Sequence, residues 1–320
     1  MAKFFFLGLL IFFVGCSEDV LDSQILNDKP LSESSLLSRE ASKGKNLLAD
    51  GSVYEGELVR GLPHGHGKRK FDNEDFYEGQ FKEGMANGHG TLRYKSDDNL
   101  EKYVGMWKND QREGFGTLYF SDSSQMIGTW SGDALIYGDF QRPDGTIISG
   151  RWKGQAIEEG NVRDEMGNQY SGFFDNENGY RTGNLNAANG NQYTGNFQGG
   201  KYHGKGLLIK NDGSYYAGGF KDGLFSGTGI LVLADGTEYA GEFQSDNPHG
   251  YGTQRNVNGV QYSGSWEKGK KSGTGTLDFG DGSSFVGEFR EGLAIEGLYD
   301  WGDGRITDSF QNEQGEWIDR

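Results

Sequence analysis

Paired glycines of the form Gly-x-Gly are the residues of this sequence whose spacing most suggests chemistry. Such a pair can bind a phosphate when its loop connects a strand to a helix and carries further glycines or a Gly-Lys-Ser/Thr ending. Here no helix is predicted behind any pair, and the pattern recurs along the chain, which indicates a structural role. The intact pairs are Gly65/Gly67, Gly88/Gly90, Gly114/Gly116, Gly204/Gly206, Gly227/Gly229, Gly250/Gly252 and Gly273/Gly275.

Histidine is the second residue type that could do chemistry, as a metal ligand or a general base. All five histidines flank the paired glycines, so repeat position explains where they occur. The single cysteine, Cys16, excludes an internal disulfide and a cysteine-based zinc site. Asp281-Gly282-Ser283 lacks the alternating oxygen pattern of a calcium loop. We therefore predict no catalytic residue, no metal site and no cofactor, and a protein that is not an enzyme.

The composition favours a folded chain in which glycine is a structural component. Of 320 residues, 55 are glycine and only 4 are proline, which argues against collagen and against a proline-rich disordered chain. Aromatic residues make up 13% of the chain, and this abundance argues against disorder in general. The formal net charge of −16 opposes binding to nucleic acid and to anionic lipid surfaces. We expect no nucleic-acid partner.

A pentapeptide of the type Tyr-x-Gly-x-aromatic repeats along the chain, for example YTGNF at 193–197 and YAGGF at 216–220. In the regular units, Gly-x-Gly follows nine and eleven residues after its glycine. A fixed period of this length is the signature of a repeat architecture. The central glycine, most often 23 residues from the next, stands at 56, 79, 105, 128, 150, 172, 195, 218, 241, 264 and 287.

This unit resembles the MORN repeat, whose sequence is close to YxGxFxxGxxxGxGxxxxxDGxxY. The resemblance extends over residues 45–305, with about eleven repeats, and implies a role in membrane recruitment, scaffolding or dimerisation. The units between 126 and 183 depart from the pattern, since Met126 and Ile148 replace Tyr and the Gly-x-Gly pair is missing. We expect them to keep the strand pairing, to differ in curvature and to be the most specialised part of the array.

The alternation of residues predicts an all-β fold, an elongated single-sheet rod of consecutive β-hairpins that is curled or trough-like. In 193–197, Tyr193, Gly195 and Phe197 share one face. We expect Gly204, Gly206 and Leu208 to share a face as well, with Asp212-Gly213 and its equivalents as tight turns of positive φ. Glycine between two aromatics would let a neighbouring ring lie over bare backbone. Eleven such units would form a rod on the order of 100 Å long.

The aromatic columns are the main candidates for a binding surface, because a trough lined by rings could hold an extended peptide, a lipid chain or a glycan. The same rings are expected to stack as the core of the array. These candidate binding residues are Tyr54, Tyr77, Tyr103, Tyr170, Tyr193, Phe197, Tyr216, Phe220, Tyr239, Phe243, Tyr262 and Trp266.

The N-terminus has the layout of a short signal peptide. MAKFFFLGLLIFFVGC carries one lysine, an apolar run and a small residue before Cys16. The ending FVGC resembles the bacterial lipoprotein signal, which implies lipid attachment at Cys16. The apolar run is too short to span roughly 30 Å of hydrocarbon as an uncleaved anchor. Ser17 after the cysteine implies delivery to the outer membrane, facing the periplasm.

We accordingly divide the chain into a lipoprotein signal peptide (1–15), a flexible tether (16–44), the repeat array (45–305) and a degenerate repeat or C-terminal cap (306–320). We expect a lipid-anchored scaffold or binding module of the cell envelope, which contacts the membrane through its N-terminal lipid. Its partner would be another protein or a second copy in a homo-oligomer. The alternative is recognition of membrane lipid or an envelope polysaccharide by the aromatic-lined trough.

Overall fold

The computed structural model describes residues 41–154, 156–175 and 179–320, and every regular element in them is a β-strand. The chain divides into two units, Met1–Ala41 and Ser42–Arg320, and the second contains the repeats. Strand β1 begins at Ala41, before the array start at Lys45 that the repeats predict. The described chain contains no helix with the length and apolar character needed to cross a bilayer.

The array contains 25 strands. The first twelve are β1 (Ala41–Leu47), β2 (Val53–Val59), β3 (Leu62–Lys70), β4 (Phe76–Lys82), β5 (Met85–Arg93), β6 (Leu100–Lys108), β7 (Gln111–Phe120), β8 (Gln125–Ser131), β9 (Ala134–Gln141), β10 (Ile147–Lys153), β11 (Ala156–Arg163) and β12 (Gln169–Asp175). The others are β13 (Gly179–Asn186), β14 (Gln192–Gln198), β15 (Lys201–Ile209), β16 (Tyr215–Lys221), β17 (Leu224–Val232), β18 (Glu238–Gln244), β19 (Asn247–Arg255), β20 (Gln261–Glu267), β21 (Lys270–Asp278), β22 (Ser284–Arg290), β23 (Leu293–Asp300), β24 (Ile306–Gln311) and β25 (Trp317–Asp319).

Each strand pairs with the next one along the chain, so the whole array is one antiparallel meander. This confirms the predicted all-β, single-sheet array of consecutive hairpins. The meander follows from the turns, because antiparallel neighbours can be joined by two or three residues whereas parallel strands need long crossovers.

A column of glycines runs across the sheet, with one glycine on every strand from β2 to β23. Gly195 faces Gly183 on one neighbouring strand and Gly206 on the other, and the pairing continues in both directions. Beyond the last column glycine, Gly297, the facing residue is Ser309 on β24. The column therefore passes through both the regular and the irregular units.

The aromatic rings lie on this glycine column, as the sequence predicts. A Cβ atom added at Gly206 would stand 2.6 Å from the Cε2 and Cζ atoms of Tyr193, far inside van der Waals contact. The equivalent Cβ at Gly229 would stand 2.6 Å from the same atoms of Tyr216. Glycine is required at these positions because any side chain would occupy the space of the ring. We call the face that carries the rings the ladder face and the opposite face the outer face.

The two glycines of a Gly-x-Gly pair have different functions, which corrects the prediction that Gly204, Gly206 and Leu208 share a face. Gly204 has a positive φ of 62°, and a Cβ there would meet the side chain of Asn196 on the outer face. Gly195 faces Gly206 and Asn196 faces His203, so residues 204 and 205 form a two-residue bulge. The first glycine permits the bulge, and the second accommodates the ring.

The turns also differ from the prediction. Of the Asp212-Gly213 pair only Gly213 has positive φ, at 87°, and it closes a three-residue loop after a type I turn. The two-residue turns with positive φ at both positions lie at the opposite edge, at Gly199-Gly200 and at Lys268-Gly269. Asp212 instead accepts hydrogen bonds from the N–H and Oγ of Ser214, at 2.9 and 2.6 Å. The side-chain carboxylate of Asp212 therefore stabilises this three-residue loop.

The irregular units keep the strand pairing, as predicted, and they keep more of the glycine pattern than the sequence suggested. The second glycine of each pair survives as Gly138, Gly160 and Gly183 in the central column. Only the bulge glycine is lost, because the bulge there contains one extra residue instead of two: Thr129 faces Tyr137, and Trp130 faces Leu135.

Replacing a column glycine that lies under a ring should destabilise the array far more than replacing a strand glycine with no ring against it. Gly206→Ala should lower the free energy of unfolding by about 1–3 kcal/mol, because the new methyl group collides with the Tyr193 ring. Gly44→Ala is the matched control, since its nearest neighbour would be Asn46 Nδ2 at 3.6 Å. Denaturant unfolding monitored by circular dichroism gives both values. Equal effects of the two substitutions would contradict the ring-on-glycine contact.

Candidate functional site

The twelve aromatic residues predicted to bind a ligand all lie on the ladder face and are buried. Their side chains are between 0% and 6% exposed. A ligand would therefore have to displace neighbouring rings to reach them. Their binding role stays a prediction, whereas their packing in the core is observed.

The rings pack edge to face in an unbroken series within the regular units. Tyr193 contacts Phe197 of its own strand at 5.0 Å between centroids and Phe220 of the next unit at 5.2 Å. Tyr216 repeats this arrangement with Phe220 and Phe243. Each ring therefore links two units, and such pairs contribute about 0.5–1.5 kcal/mol beyond the burial of their area. We call this series the aromatic ladder.

Each ladder tyrosine also ties down the bulge beside it. The Tyr193 hydroxyl donates a hydrogen bond to the carbonyl oxygen of Asn196 at 2.8 Å, and the Tyr170 hydroxyl donates to that of Phe173 at 2.7 Å. Burial raises the pKa of Tyr193 to about 12. Burial has the same effect, a pKa of about 12, at Tyr170, Tyr216, Tyr239 and Tyr262.

The aromatic ladder is interrupted in the irregular units. The buried side chains form two clusters, one from Tyr54 to Trp152 and one from Val162 to Tyr299. Met126 and Ile148 stand where the regular units have Tyr; both pack against the first cluster, and Ile148 also packs against the second. The glycines that face each other in these units have no ring against them. A Cβ atom added at any of them would meet backbone atoms at the shortest distance and no ring atom among its nearest neighbours. We call this region, at Gly128/Gly138 and Gly150/Gly160, the ring gap.

A cavity of about 510 Å³ opens on the ladder face at the ring gap. Its floor and walls include Met126, Phe140, Ile148, Trp152 and Tyr180. Met126 and Ile148 line this space at the positions where the regular units carry phenol rings, and the strands around it keep their register. The volume lies within the range of sites that hold small ligands or peptide side chains.

Charged groups line the same cavity beside its apolar walls. The guanidinium of Arg142 lies 5.6 Å from the centre of the Phe140 ring, and Asp164 lines the cavity as well. Burial raises the pKa of Tyr180, with Asp164 raising it further and Arg142 lowering it. Both charges are therefore close enough to act on one ring of the cavity wall.

Sequence reasoning did not identify this cavity or its lining residues. The signal was present in Met126 and Ile148, which were recognised as departures from the repeat but not as missing rings. Cys16, the predicted lipid attachment site, lies outside the described residues. Within the described ranges, no group of three or more His, Cys, Asp or Glu side chains could hold a metal ion.

Comparison with known protein families gives one match. The family model described as MORN repeat matches seven segments that together make up half of the chain. No segment between 126 and 192 is matched, which agrees with the interrupted aromatic ladder. No curated protein matches the chain significantly. The matched segments are 54–76, 77–98, 103–125, 193–215, 216–238, 239–261 and 262–284.

Several solved structures resemble the chain weakly. The TCP10 domain of Danio rerio CPAP has 10% identity and a TM-score of 0.23, over 86% of this chain and 97% of that one. The same domain with a peptide of Danio rerio STIL has 12% identity and a TM-score of 0.19, over 87% and 97%. The TCP domain of Drosophila melanogaster SAS-4, with a proline-rich motif of dSTIL, has 13% identity and a TM-score of 0.19, over 69% and 95%. TM-scores this low carry no argument about this chain.

Alkaline pH should unfold the array through its tyrosines. A pKa that folding raises from about 10 to about 12 stabilises the folded state below pH 10, and this contribution is lost as the pH rises toward 12. Tyrosinate absorbance and circular dichroism should therefore change together in that window. Tyr193→Phe keeps a ring on Gly206 and removes one ionisable group. Between pH 10 and 12 this variant should therefore lose less free energy of unfolding than the unsubstituted chain does. Ionisation of the buried tyrosines while the circular dichroism spectrum stays that of the folded array would contradict the burial of their hydroxyls.

Proposed function

This chain belongs to the MORN-repeat family, and we propose that it is a lipid-anchored scaffold of the bacterial cell envelope that binds another protein or a second copy of itself. Repeats of this family are generally modules for interaction with proteins or membranes. Seven segments of the array match such repeats, and the described strands from β2 to β23 continue the same hairpin pattern between and after them. This supports a binding module.

The ring gap is the observation on which the protein-binding proposal rests. In the regular units a partner meets buried rings and, beside Tyr77 and Trp107, a cavity of about 220 Å³, whereas at the ring gap it meets a larger cavity of about 510 Å³ with apolar walls. Apolar side chains of a bound segment can enter there and replace the missing rings. Arg142 and Asp164 can pair with polar groups of that segment. The sheet thus provides one preferred docking position within an otherwise repetitive surface.

The membrane attachment proposed here depends on Cys16. Acyl chains on this cysteine would hold the protein at the membrane, since each buried CH₂ group contributes about 0.8 kcal/mol. With a net charge of −16, the chain itself is repelled by anionic head groups. Lipid attachment and partner binding are therefore assigned to different parts of the molecule, and we place the repeats on the periplasmic side of the outer membrane.

Filling the ring gap should abolish partner binding without unfolding the array. Met126→Tyr places a phenol over the bare pair Gly128/Gly138, in the way that Tyr193 lies over Gly195 and Gly206. Ile148→Tyr places a phenol over Gly150/Gly160, where the Ile157 side chain must move aside. Ile127→Tyr is the matched control, because residue 127 points to the outer face next to Met126. Crosslinked capture from envelope membranes should lose a discrete partner band with the first two variants only.

Light scattering of the purified chain and of the same three variants tests self-association. Loss of an oligomer in Met126→Tyr and Ile148→Tyr, but not in Ile127→Tyr, would identify the partner as a second copy. If all three variants retained partner and oligomer like the unsubstituted protein, the ring gap would not be the docking position.

Substitution of the cysteine should release the protein from membranes. Expressed with its signal, Cys16→Ala should leave the membrane fraction, because the proposed lipid is its main attachment. A second preparation without the signal and with Cys16→Ala should fail to float with liposomes at low and at moderate salt. Flotation at both salt concentrations would instead support direct recognition of lipid by the repeats.

A further inference from the structure

The bulges of the outer face present a backbone N–H, and a side chain of the same hairpin can supply its acceptor. The N–H of Tyr251, next to the bulge glycine Gly250, donates a hydrogen bond to Oε1 of Glu242 at 3.2 Å. The same contact joins the N–H of His89 to Oε1 of Gln80 at 2.8 Å. A Cβ atom added at Gly250 would stand 2.7 Å from the Glu242 carboxylate. The bulge glycine therefore leaves room for an oxygen acceptor beside the N–H.

The bulge of Gly114 and Phe115 has the same strand register but lacks this acceptor. Met106 stands in the place of Gln80 and Glu242, and its thioether is at most a weak acceptor. A Cβ atom added at Gly114 would meet only Cβ and Cγ of Met106, at 3.3 and 3.5 Å. No side chain of the described residues accepts a hydrogen bond from the N–H of Phe115. We call this bulge the open bulge.

A cavity of about 590 Å³ lies at the open bulge. Besides Met106 and Gly114, its lining includes Met85 and two lysines, Lys82 and Lys108. The lysines occupy the same position of two successive hairpins, on β4 and β6, about 10 Å apart at the usual strand spacing. The volume lies within the range of sites that hold small ligands.

The lining has two acids as well as two lysines, so the hydrogen-bonding groups that remain free decide which ligand fits. Within the described ranges neither Lys82 nor Lys108 forms an ion pair or a hydrogen bond, and both are exposed. Glu113 already accepts a hydrogen bond from the N–H of Gly132 at 3.2 Å, whereas Glu83 lies in the turn between β4 and β5. Two ammonium groups and one backbone N–H are thus available against one free carboxylate.

Two further bulges also lack Glu or Gln, since Gly219 and Ser265 take that place. Neither has lysine at the equivalent position of two successive hairpins. The first has Gln198 with Lys221, and the second has Glu267. The missing acceptor and the pair of lysines therefore occur together at the open bulge.

We propose that the open bulge binds the carboxylate of a ligand that also carries an apolar group. One oxygen accepts from the N–H of Phe115, as the Glu242 carboxylate does in its own bulge, and Lys108 donates a charge-assisted hydrogen bond to the carboxylate. The apolar group packs on Met85 and Met106. Free organic acids offer this chemistry, and so does the C-terminus of a polypeptide, which backbone N–H groups can bind. The site does not rest on the ring gap, which lies on the opposite face.

Amide NMR of the full chain in detergent tests the proposal with N-acetyl-leucine and, as its uncharged match, N-acetyl-leucinamide. The Phe115 N–H signal should move to saturation with the acid, because a new hydrogen bond forms, and stay in place with the amide. The His89 N–H signal should move with neither, since Gln80 already occupies its bulge. The peptide Gly-Gly-Leu, with a free or an amidated C-terminus, separates the sources. Tighter binding of the free-ended peptide than of N-acetyl-leucine supports a polypeptide C-terminus, and the reverse order supports a free acid.

Met106→Gln should weaken binding of N-acetyl-leucine at least tenfold, because it supplies the acceptor that Gln80 supplies in its own bulge. Met106→Leu is the matched control, since it stays apolar and should bind as the unsubstituted chain does. Lys108→Gln should weaken binding severalfold. The remaining amide signals report whether each variant is folded.

The proposal is overturned if neither free acid moves the Phe115 signal, or if N-acetyl-leucinamide moves it as far as N-acetyl-leucine does. It is also overturned if a folded Met106→Gln chain binds as tightly as Met106→Leu. Met126→Tyr, which fills the ring gap, should keep the Phe115 response. Failure at the open bulge therefore leaves the docking position at the ring gap standing, and the reverse holds as well.

Discussion

An aromatic ring can lie flat against a β-sheet only where the backbone beneath it carries no side chain, and the whole array depends on this constraint. Facing glycines such as Gly195 and Gly206 provide that bare backbone in each unit. Glycine normally weakens a strand. Here the ring of Tyr193 covers the backbone of both, its hydroxyl holds the bulge beside them, and its edge contacts the next unit. One residue thus connects strand pairing, bulge geometry and the packing between repeats.

The same constraint explains why the interruption of the aromatic ladder leaves a space and not a collapsed sheet. The glycine column continues through Gly128, Gly138, Gly150 and Gly160, so the strand register is kept without rings. A smaller side chain such as Ile148 cannot reach across the pair, and the neighbouring rings belong to their own units. A repeat that keeps its backbone and loses its ring becomes a cavity, which is a simple way to create a site in a uniform array.

Much of the fold could be predicted from the sequence because the same pattern of glycines and aromatic residues recurs in each regular unit. The spacing of the central glycine and the alternation in 193–197 predict the strands, their faces and the ring-on-glycine contact. The turns could not be assigned in the same way, since Asp212-Gly213 fits either a two-residue or a three-residue loop and only strand register distinguishes them. Gly204 was assigned to the wrong face for a related reason. A bulge changes the face on which a residue lies, and the alternation of polar and apolar residues in the sequence does not reveal it. The cavity depends on which neighbours surround Met126, and a single unit does not contain that information.

The account predicts that local stability follows the presence of rings, and hydrogen exchange of the native protein measures this strand by strand. Amides of β14–β21, where the aromatic ladder is complete, should exchange slowly. Amides of β8–β11, at the ring gap, should exchange faster although they have the same strand pairing. Equal protection in both regions, or faster exchange in β14–β21, would contradict the claim that rings lying on paired glycines hold the array together.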